Sequence, residues 1–124
     1  MGGGPGGYTC AIRLAKLGAK AALVEEGALG GVCANSGCIP VKALHASAKI
    51  LGEVRGAGRH GIKTGEPVVD YVEMRRRAHS VAQMSAKGVE ILLKTNGVDV
   101  FRGRGKLESA GSVRVGGETL HAEN

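Results

Sequence analysis

Apolar and polar residues alternate along the chain with the periods of helices and strands. After a glycine-rich start, Ala11, Ile12 and Ala15 recur at a helical spacing that Gly18 can end. The apolar run over residues 21–24 then predicts a short buried strand. We therefore expect the chain to open as an α/β fold.

A second helix is predicted after residue 40. Val41, Leu44, Ala48 and Leu51 recur at the spacing of one apolar helix face. Residues 52–65 contain several glycines and are predicted to form the end of this helix and a loop.

A third helix and several strands are predicted in the rest of the chain. The helix is expected from Tyr71 to Thr95, with Ala78, Val81, Val89 and Leu92 on its apolar face. Short alternating segments separated by glycines then predict strands. One would join a parallel sheet and the others would form a small antiparallel ribbon. These strands are expected around residues 98–101, 106–108, 112–115 and 119–121.

Composition and charge narrow the function classes. The chain has 124 residues, the size of one ordinary domain, and a net charge of +6 at pH 7. The triplet Arg75, Arg76 and Arg77 could contact nucleic acid, but the chain has few aromatic residues and no groove-reading motif, so we interpret the triplet as a solvated helix face. No apolar run reaches membrane-spanning length and no targeting segment precedes the glycines. We expect a cytoplasmic protein that binds neither nucleic acid nor a membrane.

The glycine-rich start is the first candidate for chemistry. Gly2, Gly4 and Gly7 have the spacing G-x-G-x-x-G ahead of the first helix, which predicts a dinucleotide phosphate loop. Because 22 of the 124 residues are glycine, this spacing alone is a weak signal. Glu25 strengthens it, since it ends the next strand about twenty residues on, where a carboxylate can bind a ribose hydroxyl. Only Met1 precedes the loop, so we expect the first strand of such a fold to be missing.

The cysteine pair is the second candidate, in the run G-G-V-C-A-N-S-G-C-I-P-V-K over residues 30–42. In an ideal α-helix the Cα atoms of Cys33 and Cys38 would lie about 8.6 Å apart, beyond the roughly 7 Å limit for an unstrained disulfide. A disulfide at this spacing therefore predicts an irregular turn. The residue types Asn-Ser-Gly at 35–37 tolerate such a turn.

Pro40 predicts a helix start directly after the pair, because its missing N–H is harmless in the first turn. Cys38 would then lie beside the helix N-terminus, where the helix dipole and Lys42 favour a thiolate. The spacing leaves three other interpretations open: a zinc half-site completed by Cys10 and His45, a structural disulfide, or two buried thiols. We expect no metal site, and we expect Cys10 to pack inside the first helix.

These segments resemble the flavin-dependent pyridine nucleotide-disulfide oxidoreductases. Within that family the chain is most similar to the dihydrolipoyl dehydrogenases, with the mercuric reductases as the nearest alternative. Val41 and His45 depart from the dihydrolipoyl dehydrogenase pattern. The resemblance covers almost the whole chain, and its most specific part is the cysteine run. The matching segments are residues 2–8, 11–18, 24–25, 29–44, 60–62 and 103–107.

The resemblance implies a redox role for both cysteines. Cys33 would be the interchange thiol that meets the substrate, and Cys38 the charge-transfer thiol against the flavin ring. A substrate dithiol would reduce the pair, FAD would take up the electrons, and NAD would receive a hydride. The residues that the resemblance places at FAD are Gly2, Gly4, Pro5, Gly7, Glu25, Leu29, Gly30, Gly31, Val32, Cys33, Lys42 and Gly105.

The resemblance also implies a domain organisation. Residues 1–124 would form part of a Rossmann-like FAD-binding domain: three layers, with a parallel sheet, a small antiparallel ribbon and no first strand. The NAD-binding and dimerisation domains would be absent from it. In full-length form we expect a homodimer that acts on a small dithiol or a lipoyl domain within a 2-oxoacid dehydrogenase complex. The alternatives are a mercuric reductase-like or other disulfide reductase, and a module that binds a nucleotide without turnover.

Overall fold

The computed structural model describes residues 1–123 and contains four α-helices and five strands in that range. A 3-10 turn at Ala57–His60 follows the third helix. The helices are α1 (Pro5–Lys16), α2 (Gly31–Asn35), α3 (Cys38–Gly56) and α4 (Tyr71–Thr95). The strands are β1 (Ala22–Glu25), β2 (Asp99–Arg102), β3 (Gly105–Ser109), β4 (Ser112–Val115) and β5 (Glu118–His121).

The strands form two sheets, as the sequence predicted. β1 and β2 are parallel, with Leu23 opposite Val100 and Val24 opposite Phe101. β3, β4 and β5 form an antiparallel sheet in chain order. An α/β fold with a parallel sheet and an antiparallel ribbon is therefore confirmed.

The N-terminal residues lie along the edge of β1 opposite β2. The carbonyl oxygens of Ala21 and Glu25 accept hydrogen bonds from the β2 side of the sheet, whereas the Val24 carbonyl accepts one from the Gly2 N–H at 2.8 Å. Carbonyl groups alternate in direction along a strand, so Gly2 occupies the other edge. Within residues 1–123 no strand precedes α1.

The apolar core lies where α1 and α4 cover one face of the parallel sheet. Leu23 of β1 faces these helices, while the neighbouring Val24 points to the opposite face, near Gly105 at the start of β3. Helices and antiparallel strands thus enclose the parallel strands between them. The core cluster consists of Ala11, Ala21, Leu23, Leu29, Val89, Leu93 and Val98.

α4 has the predicted bounds but a slightly different buried face. It begins after Asp70, whose Oδ1 accepts a hydrogen bond from the Glu73 N–H at 3.0 Å and caps the helix. The prediction that Leu92 is buried is wrong: its side chain is 50% exposed, and the adjacent Leu93 is fully buried. The helix therefore presents Ala78, Ala82, Val89 and Leu93 to the rest of the protein.

α3 differs from the prediction at both ends. It starts at Cys38 rather than at Pro40, because a residue without N–H is tolerated anywhere in the first turn. It also continues through Gly52 to Gly56, so the loop expected from residue 52 begins later. On its buried side lies Ala43, whereas Val41 is 61% exposed.

No helix among residues 1–123 is long and apolar enough to cross a membrane.

Candidate site at the glycine-rich loop and the cysteine turn

The glycine-rich loop ends at the N-terminus of α1. Gly4 caps the helix without a capping side chain, and the first helical bond runs from the Tyr8 N–H to the Gly4 carbonyl at 3.0 Å. Gly7 packs so closely on the loop that a methyl group there would overlap the Gly2 carbonyl. Within residues 1–123 the N–H groups of Gly6 and Gly7 have no protein acceptor. Free N–H groups at a helix N-terminus bind anions such as phosphate.

Glu25 links this loop to the segment after β1. Its half-buried carboxylate accepts hydrogen bonds from the Gly3 N–H at 2.5 Å and the Gly27 N–H at 2.6 Å. These two bonds, the one from Gly27 first, lower the pKa of Glu25. The predicted ribose anchor therefore also holds the loop in place, and ribose binding stays a prediction.

The residues before the cysteines lie against the same loop. The Gly30 N–H donates to the Gly3 carbonyl at 2.8 Å, and the position of a Gly31 Cβ would be 2.8 Å from the Gly4 Cα. Leu29 is buried in the core, whereas Val32 is 75% exposed. The segment predicted to line the flavin is thus brought next to the glycine-rich loop.

The backbone between the cysteines forms the predicted irregular turn. α2 ends at Asn35 and α3 begins at Cys38. Ser36 and Gly37 both donate their N–H groups to the Val32 carbonyl, at 2.9 and 2.7 Å. Residues 35–37 make this turn without a left-handed conformation.

The turn brings the two thiols close enough for Cys38 to affect the pKa of Cys33, and both thiols are free. Hydrogen bonding between Cys33 and Cys38, partial burial and the charge of a Cys38 thiolate raise the pKa of Cys33. The Cys38 N–H and the Lys42 ammonium act in the opposite direction but are weaker. The raised pKa means that Cys33 holds its proton more tightly than an ordinary cysteine thiol, and the thiolate role of Cys38 stays a prediction.

The other predicted positions are scattered around this centre. Pro5 is exposed in the first turn of α1, and Lys42 is exposed one turn after Cys38. Gly105 lies on the far face of the parallel sheet, where the Met1 side chain fills the space beside it. The expectation that Cys10 is buried is wrong: it is exposed on α1. Among residues 1–123 no three metal-ligating side chains cluster.

The sequence analysis missed a structural role for Asn35. Its Nδ2 donates to the Leu29 carbonyl at 3.0 Å and the Gly31 carbonyl at 2.8 Å. An asparagine at a helix end can bond the carbonyl four residues earlier, but the bond to Leu29 depends on the loop conformation. Asn35 also lines an open groove of about 580 Å³ between the cysteine turn and α4, together with Arg75 and His79.

This combination defines a class of protein. A parallel sheet, a helix that starts at a glycine loop and an acidic residue at the end of the next strand are typical of a dinucleotide-binding domain. Here a pair of thiols lies beside that loop, which is typical of a domain that couples a dinucleotide to dithiol chemistry.

Comparison with known proteins gives the family. A model of the family described as pyridine nucleotide-disulphide oxidoreductase matches residues 1–124, and the chain belongs to this family. The chain is 46% identical over 125 residues to a dihydrolipoyl dehydrogenase of Acholeplasma laidlawii. That match covers 100% of this chain and 37% of the relative, so the chain spans about a third of its length.

Two solved structures share the fold. A crystal structure of LpdA from Mycobacterium tuberculosis matches with a TM-score of 0.85 at 23% identity, over 97% of this chain and 28% of that one. The HOCl-induced flavoprotein disulfide reductase RclA of Escherichia coli, solved as a Cu(II) complex, matches with a TM-score of 0.74 at 30% identity. That match covers 98% of this chain and 25% of RclA.

Proposed function

We propose that this chain is the FAD-binding and redox-thiol part of a flavin-dependent disulfide oxidoreductase of the dihydrolipoyl dehydrogenase type. The observation that carries the proposal is that a turn brings Cys33 and Cys38 close together directly after Gly30 and Gly31, which lie against the glycine-rich loop. The family match and the similarity to a dihydrolipoyl dehydrogenase support it.

The residues present fit FAD. The free N–H groups of Gly6 and Gly7 suit the pyrophosphate, and the open space beside Gly2 and Gly4 leaves no side chain in its way. Glu25 keeps lone pairs for a ribose hydroxyl beyond its two backbone bonds. When bound, FAD would accept two electrons from the thiols and donate a hydride to NAD. The remaining residues proposed to contact it are Pro5, Leu29, Gly30, Gly31, Val32, Cys33, Lys42 and Gly105.

The thiols carry out the exchange with substrate. Starting from a Cys33–Cys38 disulfide, a substrate thiolate attacks the Cys33 sulfur and Cys38 leaves as a thiolate. The second substrate thiol then attacks the mixed disulfide and releases Cys33, which takes a proton because its pKa is raised. The substrate leaves as a disulfide and the protein keeps two reduced sulfurs. The Lys42 ammonium favours negative charge on Cys33.

The wider setting is also a proposal. The substrate would be a small dithiol or a lipoyl domain, in a homodimer that serves a 2-oxoacid dehydrogenase complex in the cytoplasm. A mercuric reductase-like enzyme shares the same thiol arrangement and remains the second candidate. A nucleotide-binding module without turnover would need no interacting thiols, so the interaction of Cys38 with Cys33 favours the enzyme.

The test uses the product of the full reading frame that encodes this chain, purified with FAD. We expect NAD reduction with dihydrolipoamide, and its loss in Cys33→Ser and in Cys38→Ser. After reduction, the long-wavelength absorbance of a thiolate beside the flavin should persist in Cys33→Ser and disappear in Cys38→Ser. Cys10→Ser is the matched control, since Cys10 is a free thiol away from the turn and should change neither readout.

Each contrary outcome has a defined meaning. The absorbance pattern with the two cysteines exchanged would reverse their proposed roles. Reduction of Hg(II) without dihydrolipoamide activity would favour the second candidate. Full activity in both single variants would refute the redox role of the pair.

A further inference from the structure

The side chain of Asn35 connects the cysteine turn to the glycine-rich loop. It stands two residues after Cys33 and three before Cys38, and both hydrogens of its amide are used. One goes to the carbonyl of Gly31, at the start of the same short helix. The other goes to the carbonyl of Leu29, which precedes that helix.

The segment that Asn35 holds would otherwise be loose. Gly30 and Gly31 have φ values of 90° and 59°, and successive glycines have wide conformational freedom. α2 has only 5 residues, too few to be stable by itself. Because the Gly30 N–H bonds to Gly3, a continuous path of hydrogen bonds runs from the glycine-rich loop through Leu29 to Asn35.

A second asparagine, Asn96, shows how the bonding of Asn35 differs from simple capping of a helix end. Asn96, just beyond the end of α4, donates its Nδ2 to the Leu92 carbonyl four residues earlier at 2.7 Å. Asn35 makes the equivalent bond to Gly31 at 2.8 Å. Only Asn35 makes the additional bond across the loop to a residue six positions earlier.

We propose that Asn35 is a positioning residue for the thiol pair: its amide holds α2 so that the Cys33 sulfur stays opposite Cys38. The inference rests on the proposed function only in requiring that the two cysteines can form a disulfide. Loss of the amide lets the segment over residues 29–35 relax, and Cys33 then spends less time near Cys38. A lower effective concentration of one thiol near the other makes their disulfide less favourable.

The test measures the equilibrium between the Cys33–Cys38 dithiol and its disulfide in glutathione buffers, by alkylation and mass spectrometry. One glutathione disulfide is reduced to two glutathione thiols for each protein disulfide that forms. We compare Asn35→Ala and Asn35→Ser with Asn96→Ala, in the product of the full reading frame with FAD bound and after its removal. The shorter side chain in Asn35→Ser keeps one hydrogen-bond donor. This variant provides a second test if Asn35→Ala does not fold.

We expect Asn35→Ala to lower the equilibrium constant for disulfide formation about tenfold in both states, with Asn35→Ser in between. Asn96→Ala should lower the melting temperature about as much as Asn35→Ala does. It should leave the equilibrium constant for disulfide formation within about twofold. A merely structural role for Asn35 would give the same result as Asn96→Ala and would overturn the inference. If the unsubstituted protein forms no Cys33–Cys38 disulfide, the proposed function fails as well, so the two failures are distinguishable.

Discussion

The segment from Gly30 to Cys38 and the long helix α4 are ordered by different means. α4 repeats apolar residues with the period of a helix and is held by packing, with Leu93 fully buried. The cysteine segment has no such period and is held by hydrogen bonds from Asn35 and to the Val32 carbonyl. Packing determines where an element lies, whereas these individual bonds determine where a particular atom lies. Thiol chemistry depends on the second kind of order.

The largest expected effect comes from the packed region. Leu93→Ala should lower the free energy of unfolding by about 2–5 kcal/mol, because it leaves a cavity in the core. The adjacent Leu92 is half exposed, so Leu92→Ala should cost about 1 kcal/mol or less. Denaturant unfolding measures both. Equal losses of unfolding free energy in the two variants would contradict the assignment of Leu93, rather than Leu92, to the core.

Substituting one glycine in each region should distinguish the two regions more sharply. Gly30 has φ 90°, and a methyl group there would overlap the Ala34 side chain. Gly30→Ala should therefore destabilise the protein by about 1–3 kcal/mol and slow disulfide formation. Gly88 in α4 has open space around it, so Gly88→Ala should stabilise by about 0.5–1 kcal/mol. Thermal unfolding and glutathione titration test the pair. The same sign for both substitutions would contradict this difference.

The smallest effect concerns pH and the glycine-rich loop, which borders the cysteine segment. The folded-state pKa of Glu25 lies below its ordinary value of 4.5, so the carboxylate stabilises the protein above that pH. This contribution should be lost as pH falls from the ordinary value through the lowered one. Glu25→Gln should cost about 1 kcal/mol at neutral pH, given its partial exposure, and remove this part of the acid dependence. The free energies of unfolding of the two proteins, measured between roughly pH 3 and pH 7, should converge at the acidic end. Parallel curves would exclude the two backbone bonds as the cause.

Sequence patterns predicted the regular elements better than the site. Period and glycine positions predict the bounds of α4, and those of the five strands to within one residue, since these features act over many residues. The buried face of α4 was assigned one position wrong at Leu92, because Leu92 and Leu93 are equally apolar and only the packing against the sheet selects between them. α3 extends beyond its predicted end, because the free-energy cost of Gly52 in a helix is small compared with the stabilisation from tertiary contacts.

At the site, residue types were predictable but their partners were not. Spacing showed that Cys33 and Cys38 need a turn, and the structure has one. The second bond of Asn35 could not be predicted, because it joins residues whose proximity exists only after Gly30 and Gly31 have bent the chain. Glu25 was expected at a ribose, and its bonds to Gly3 and Gly27 likewise depend on the folded loop.

The Val32 carbonyl, which accepts two main-chain hydrogen bonds, has a consequence for how a bridge between the two sulfurs could form. Main-chain bonds close the turn while the sulfurs are still unlinked. Making or breaking a bridge between these sulfurs would therefore not require the turn to form again each time. A turn that needed its own bridge to stay closed would have to fold and unfold whenever the bridge changed.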